Sequence, residues 1–172
     1  MKTTRLAAKP VHEPGVTAGR PGRPAPVRTI STLAELTELS LSRPGLYVRW
    51  SRGPEVDAEG SSSDDLTSVP LPGLSASPLA IEPWWGDRPP RLWIARRLYD
   101  YSHLQHEKGP GVRPWVLSGR EVGRGPDNEP LVRCDRPEAW IAEEILAEAE
   151  RVVAEQNQDW GPLRRPAERF SP

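Results

Sequence analysis

The chain has 172 residues, enough for one domain with a core of its own. Its 21 prolines and 14 glycines demand many loops, and its 23 basic against 24 acidic groups lack the basic excess that a whole-domain nucleic-acid footprint requires. The single cysteine, Cys134, excludes an internal disulfide, and no apolar run approaches the roughly 20 residues of a helical membrane span.

Residues 1–29 mix Pro, Gly, Arg and Ala without period, and are expected to form a disordered basic arm, with too little apolar surface to offset the entropy of ordering. Residues 1–28 carry six basic groups (Lys2, Arg5, Lys9, Arg20, Arg23, Arg28) and one acid (Glu13), so the rest of the chain is net acidic. These N-terminal charges precede no apolar stretch of the secretory kind, and the cytoplasm is the expected location. Residues 30–156 are expected to form the globular domain and 157–172 a flexible tail.

Within the domain, residues 31–42 (STLAELTELSLS) predict a short helix, with Thr32 and Glu35 spaced as a capping box. Residues 45–50 (GLYVRW) follow a Pro-Gly break and predict a strand. A long polar loop comes next, then LPGLSASPLA, short and extended, with Leu74 and Ala76 on one face and Ser75 and Ser77 on the other. Ile94, Leu98 and Tyr101 mark an amphipathic helix in PRLWIARRLYDYSHLQ. PWVLSGREVG and PLVRC read as strands. The final stretch, DRPEAWIAEEILAEAERVVAEQ, predicts one long helix in which Asp135 caps, Pro137 opens the first turn and Glu138 completes a capping box. Trp140 and Ile141 should bury that helix against the sheet. The pattern specifies a single α+β domain: a small, mainly antiparallel twisted sheet with packed helices.

Several residues carry candidate chemistry. In Tyr47-Val48-Arg49-Trp50, alternation places Arg49 on a face with Tyr47 and puts Val48 and Trp50 on the other. An arginine so placed can clamp a phosphate or carboxylate through two parallel hydrogen bonds, or simply face solvent. Ser75 and Ser77 can hydrogen-bond a ligand or line a solvated strand face. Asp127 and Glu129 lie two apart, so in extended geometry both carboxylates point the same way and can divide roles between a developing cation and a nucleophile. Gly125-Pro126-Asp127-Asn128 is also an ordinary turn sequence, which leaves Glu129 to be explained. His103, His106 and Glu107 cluster at a helix end, but no second ligand group accompanies them, and no metal is expected. Cys134 has no adjacent base and reads as structural. Seven tryptophans against one phenylalanine suggest a core built from indoles. The Pro-flanked pair Trp84-Trp85 is the pair expected to be exposed.

Two resemblances follow from these stretches. LYVRWSRGPEVD, LPGLSASPL, EPWW, PWVLSGREVGRGPDNEPLV and EAWI resemble an uncharacterised family of short bacterial proteins, a domain of unknown function, which implies no activity. The order Arg49, Ser75 or Ser77, then Asp127-Asn128-Glu129 is similar to that of Arg-Ser-Glu type ADP-ribosyltransferases. That resemblance implies an NAD-dependent transferase in which Arg49 holds the NAD phosphates, with Ser75, Ser77 and Tyr47 completing the cofactor site. Glu129 would stabilise the cation left as nicotinamide departs, and Asp127 would contact the acceptor, an unknown protein or small molecule. Ser75-Ala76-Ser77 departs from that class's Ser-Thr-Ser, and Pro130 is unusual directly after the glutamate. The alternative from another class is a non-catalytic protein- or ligand-binding module that uses the Trp84-Trp85 loop. Neither a membrane nor a nucleic acid is an expected partner.

Overall fold

A computed structural model describes residues 27–64 and 66–156. The readings of residues 1–26 as a disordered arm and of 157–172 as a flexible tail fall outside the described residues.

The first element is a strand, β1 (Arg28–Ile30), two residues inside the stretch expected to be disordered. Helix α1 (Leu33–Ser42) follows, capped as its sequence predicts: the Thr32 hydroxyl accepts the Glu35 N–H at 3.1 Å. Strand β2 (Leu46–Ser51) leads into a single helical turn, α2 (Pro54–Asp57). Two short strands, β3 (Leu74–Ser75) and β4 (Ser77–Pro78), precede a 3-10 turn at Pro83–Trp85. The helix foreseen over residues 90–105 is two, α3 (Pro90–Asp100) and the short α4 (Leu104–Glu107). Two twelve-residue strands, β5 (Arg113–Arg124) and β6 (Pro130–Ile141), form a long hairpin, and α5 (Glu143–Ala154) ends the described chain.

The expected helix beginning at Asp135 is therefore a strand as far as Ile141. Residues 136–140 gain a ladder antiparallel to β5, and residues 139–141 a second, parallel to β1, which outweighs a local capping pattern. Pro137 is tolerated because it stands opposite Leu117 at a register shift, where a missing N–H costs little. Helix α5 starts only at Glu143, with Glu143 and Glu144 against its positive end. Trp140 consequently does not fasten that helix. Its ring packs against Gly53 at the start of α2 and lies 4.3 Å from the Arg113 guanidinium.

The sheet runs β1-β6-β5-β2-β4, with β3 paired to β6. Leu74 and Ser75 pair with Val132 and Leu131, while Ser77 and Pro78 pair with Val48 and Tyr47. One five-residue segment thus joins β6 to β2 and curls the sheet on itself. Three register shifts in the β5–β6 ribbon supply the bend. Two apolar clusters result. Helices α1, α3 and α5 cover one face of the sheet, where Ile30, Leu36, Val48, Trp93, Val116 and Ile145 are buried. The inside of the curl holds Leu74, Ala76, Trp115, Leu117 and Val132. Trp115, fully enclosed, donates its indole N–H to Ser51 Oγ at 2.8 Å.

The curl leaves no room at Gly119. A Cβ there would lie 2.4 Å from the Arg133 carbonyl oxygen and 2.6 Å from Val132 Cγ1. Gly119→Ala should cost about 1–3 kcal/mol by overpacking alone. Urea midpoints measure this, and an unchanged midpoint would mean that β5 and β6 do not approach as closely as described.

Candidate functional site

Arg49 and Tyr47 share a face, as alternation requires, and that face is the inside of the curl. Arg49 is buried, 8% exposed, because the chain supplies its partners. Its Nε donates to Asp57 Oδ2 at 2.6 Å, and its Nη1 to Ser62 Oγ at 3.0 Å and to the Ser75 carbonyl at 2.9 Å. The Ser75 N–H in turn donates to Ser62 Oγ at 2.9 Å. Arg49 and Ser75 do meet, but through the main-chain carbonyl of Ser75 rather than its hydroxyl. Ser75 and Ser77 are half-buried, opposite Leu74 and Ala76. Tyr47 is also half-buried; burial, and then the Glu121 carboxylate, push its phenol above the ordinary value.

Asp127 and Glu129 stand at the tip of the β5–β6 hairpin. The Asn128 N–H donates to the Gly125 carbonyl at 3.0 Å, and the Gly125 N–H donates to the Glu129 carbonyl at 2.9 Å. Asn128 takes the left-handed conformation, φ 60°. This is a three-residue loop in which a β-turn is followed by a left-handed residue. The turn replaces the extended geometry that would align the two carboxylates. The Glu129 carboxylate accepts the Asp127 N–H at 3.0 Å and lies so close over Gly125 that a Cβ there would meet Oε1 at 1.9 Å. Glu129 therefore secures its own turn. Ala76 N–H donates to the Pro130 carbonyl at 3.2 Å, so the serine segment reaches the residue next to Glu129 through the main chain.

The Trp84-Trp85 pair divides. Trp85 is buried and Trp84 is 40% exposed. The Trp84 ring stands edge-on to Trp85 at 5.7 Å and to Trp93 at 5.5 Å, and its indole N–H donates to Glu82. The Arg88 guanidinium lies 5.6 Å from the Trp84 centroid and 4.4 Å from that of Trp85. It is fixed there by bonds to the Trp84 and Trp85 carbonyls. Arg97 covers Trp93 at 4.3 Å and pairs with Glu82. The outcome is a rigid aromatic ledge with one ring facing solvent.

Two open clefts lie among the described residues. One, of about 410 Å³, lies between α3, α4 and α5 and is lined by Tyr99, His103, His106, Glu143, Leu146 and Glu150, among others. The other, of about 560 Å³, includes Glu59, Ser61, Gly73, Arg133 and Cys134 in its lining. Neither is lined by Tyr47, Arg49, Ser75, Ser77, Asp127 or Glu129. Among the described residues no group of three His, Cys, Asp or Glu side chains is arranged to hold a metal ion. No helix among them is long and apolar enough to cross a membrane. Burial, and then the neighbouring Asp135 carboxylate, push the Cys134 thiol up to about 11, the opposite of a reactive cysteine.

The strongest carboxylate environment belongs to Glu138, which sequence reasoning placed in a helix cap. Its side chain, 8% exposed, receives both Arg43 Nη atoms, at 2.6 and 2.9 Å, and is also bonded by Arg136. The Arg43 bonds above all hold its carboxyl well below the usual range, at about 2. The folded value lies below the unfolded one, so this stabilisation is complete above about pH 4.5 and is lost as the pH falls through about 2. Glu138→Gln should cost on the order of 3 kcal/mol at neutral pH and almost nothing near pH 2, read from denaturant midpoints across that range.

Over residues 23–161 the sequence matches a family described as a family of unknown function (DUF6098). No curated protein and no solved structure matches the chain. With that match spanning most of its length, the chain belongs to this family of unknown function.

Proposed function

We propose that the domain is a non-catalytic recognition module and that a protein segment docks on Trp84. The supporting observation is the ledge itself: an indole 40% exposed, held edge-on by Trp85 and Trp93 and flanked by Arg88. A rigid, exposed tryptophan beside an arginine is the composition of interface hot spots, because little side-chain entropy remains to be lost on binding. The residues implied by the transferase resemblance are already engaged: Arg49 with Asp57 and Ser62, Glu129 with its own turn.

The expected partner lays an apolar side chain on the indole face. Trp84→Ala should leave the melting temperature nearly unchanged, since the ring is partly solvated, yet abolish retention of a partner that the wild-type chain captures from the cells that make it. Identical captured proteins for both chains would refute the ledge as the docking site.

A second reading, an NAD-dependent transferase of the ADP-ribosyl type, is favoured by the main-chain path from Arg49 through Ser75 and Ala76 to Pro130, beside Glu129. On that reading NAD raises the melting temperature of the wild-type chain, and Glu129→Gln abolishes nicotinamide release while leaving that rise intact. A melting temperature indifferent to NAD removes this reading and leaves the recognition module.

A further inference from the structure

We infer that Arg49 marks a latent oxyanion site, which Asp57 fills from within and which a small phosphate or carboxylate takes over when the α2 turn moves aside. A guanidinium remains charged in any protein, so a buried arginine cannot shed its need for an anion by losing a proton. The Arg49 side chain is 9% exposed and Asp57 is the one carboxylate paired with it among the described residues. The bonds to Asp57, Ser62 and Ser75 use the Nε proton and both Nη1 protons. The two protons on Nη2 have no hydrogen-bond partner among the described residues. A tetrahedral or planar oxyanion that displaced Asp57 would meet Nε and Nη2 side by side, the fork that arginine offers to phosphate and carboxylate.

The element that carries Asp57 is short. Helix α2 is one turn long, between Gly53, at φ 129°, and Gly60. Glu55 is exposed and Val56 is 69% exposed; the buried Pro54, and Ala58 against the inner cluster, are the apolar contacts that its movement must break. Its own hydrogen bonds, from the Val56 and Asp57 N–H groups to the Gly53 carbonyl at 3.1 Å, are local and can travel with it. Ser62 Oγ stays bonded to Nη1. The site faces the inside of the curl, apart from the Trp84 ledge on the helix-covered side.

Chemical rescue tests the assignment. In Asp57→Ala the carboxylate is gone and its space is open. Titrating this variant with inorganic phosphate, and separately with acetate, at constant ionic strength should raise its melting temperature by about 5 °C once the site is nearly filled. The double variant Arg49→Met/Asp57→Ala, which lacks both charges, should shift by less than about 1 °C under the same anions. The wild-type chain reports displacement directly: saturating phosphate should speed amide hydrogen exchange at Val56 and Asp57 several-fold. An Asp57→Ala variant that ignores both anions, or that does not fold even in their presence, overturns the site. Equal shifts in the single and double variants also overturn it. Unchanged exchange in the wild-type chain would make Asp57 a fixed structural partner and overturn displacement by the turn.

Discussion

Closure of the sheet by the segment Leu74–Pro78 is the constraint on which the rest of the structure depends. This segment pairs with β6 at one end and with β2 at the other, two residues each. A strand that changes partners leaves main-chain groups unmatched at the crossing, and a buried unmatched group costs about 1–3 kcal/mol. Ser75 is the last residue on the β6 side of the crossing. Its N–H is taken by the Ser62 hydroxyl and its carbonyl by Arg49, so side chains complete what the ladder cannot. Arg49 is buried for this reason, and once it is buried it needs an anion, which Asp57 supplies.

The curl also explains how the tryptophans are used. A sheet with helices on one face and its own interior on the other needs wide side chains on both sides. Trp50 and Trp93 fill the helix side, Trp115 the inside. Where the ribbon doubles back most tightly, side chains are instead removed: at Gly73 a Cβ would stand 3.0 Å from the Val132 main chain, and at Gly119 it would meet the Arg133 carbonyl. Large rings and bare glycines are two answers to one geometric demand, close packing around a strongly bent sheet.

The candidate site was legible only in part, for identifiable reasons. Alternation places Tyr47 with Arg49 correctly because both lie inside a regular strand. Alternation fails at Asp127 and Glu129 because Asn128 adopts a positive φ, and one such residue cancels the period of two. The neighbours Trp84 and Trp85 have opposite fates, since a 3-10 turn points successive side chains about a third of a turn apart. Glu138 spells a capping box in sequence, but a cap requires a helix, and the ladders to β5 and β1 make that segment a strand.

Taken alone, the sequence determines the fold class, the limits of α1, β2 and β5, the α1 cap and the β5–β6 turn, because these depend on residues within one or two turns of each other. Only the tertiary structure decides that residues 135–141 form a strand, that Arg49 is buried with Asp57, and that Glu138 is clamped by Arg43. The physical reason is distance along the chain. A ladder, an ion pair or a closed sheet takes its energy from partners beyond the local turn, 8 residues away for Arg49 and Asp57 and 95 for Arg43 and Glu138, and nothing in the local spacing records which partner will arrive.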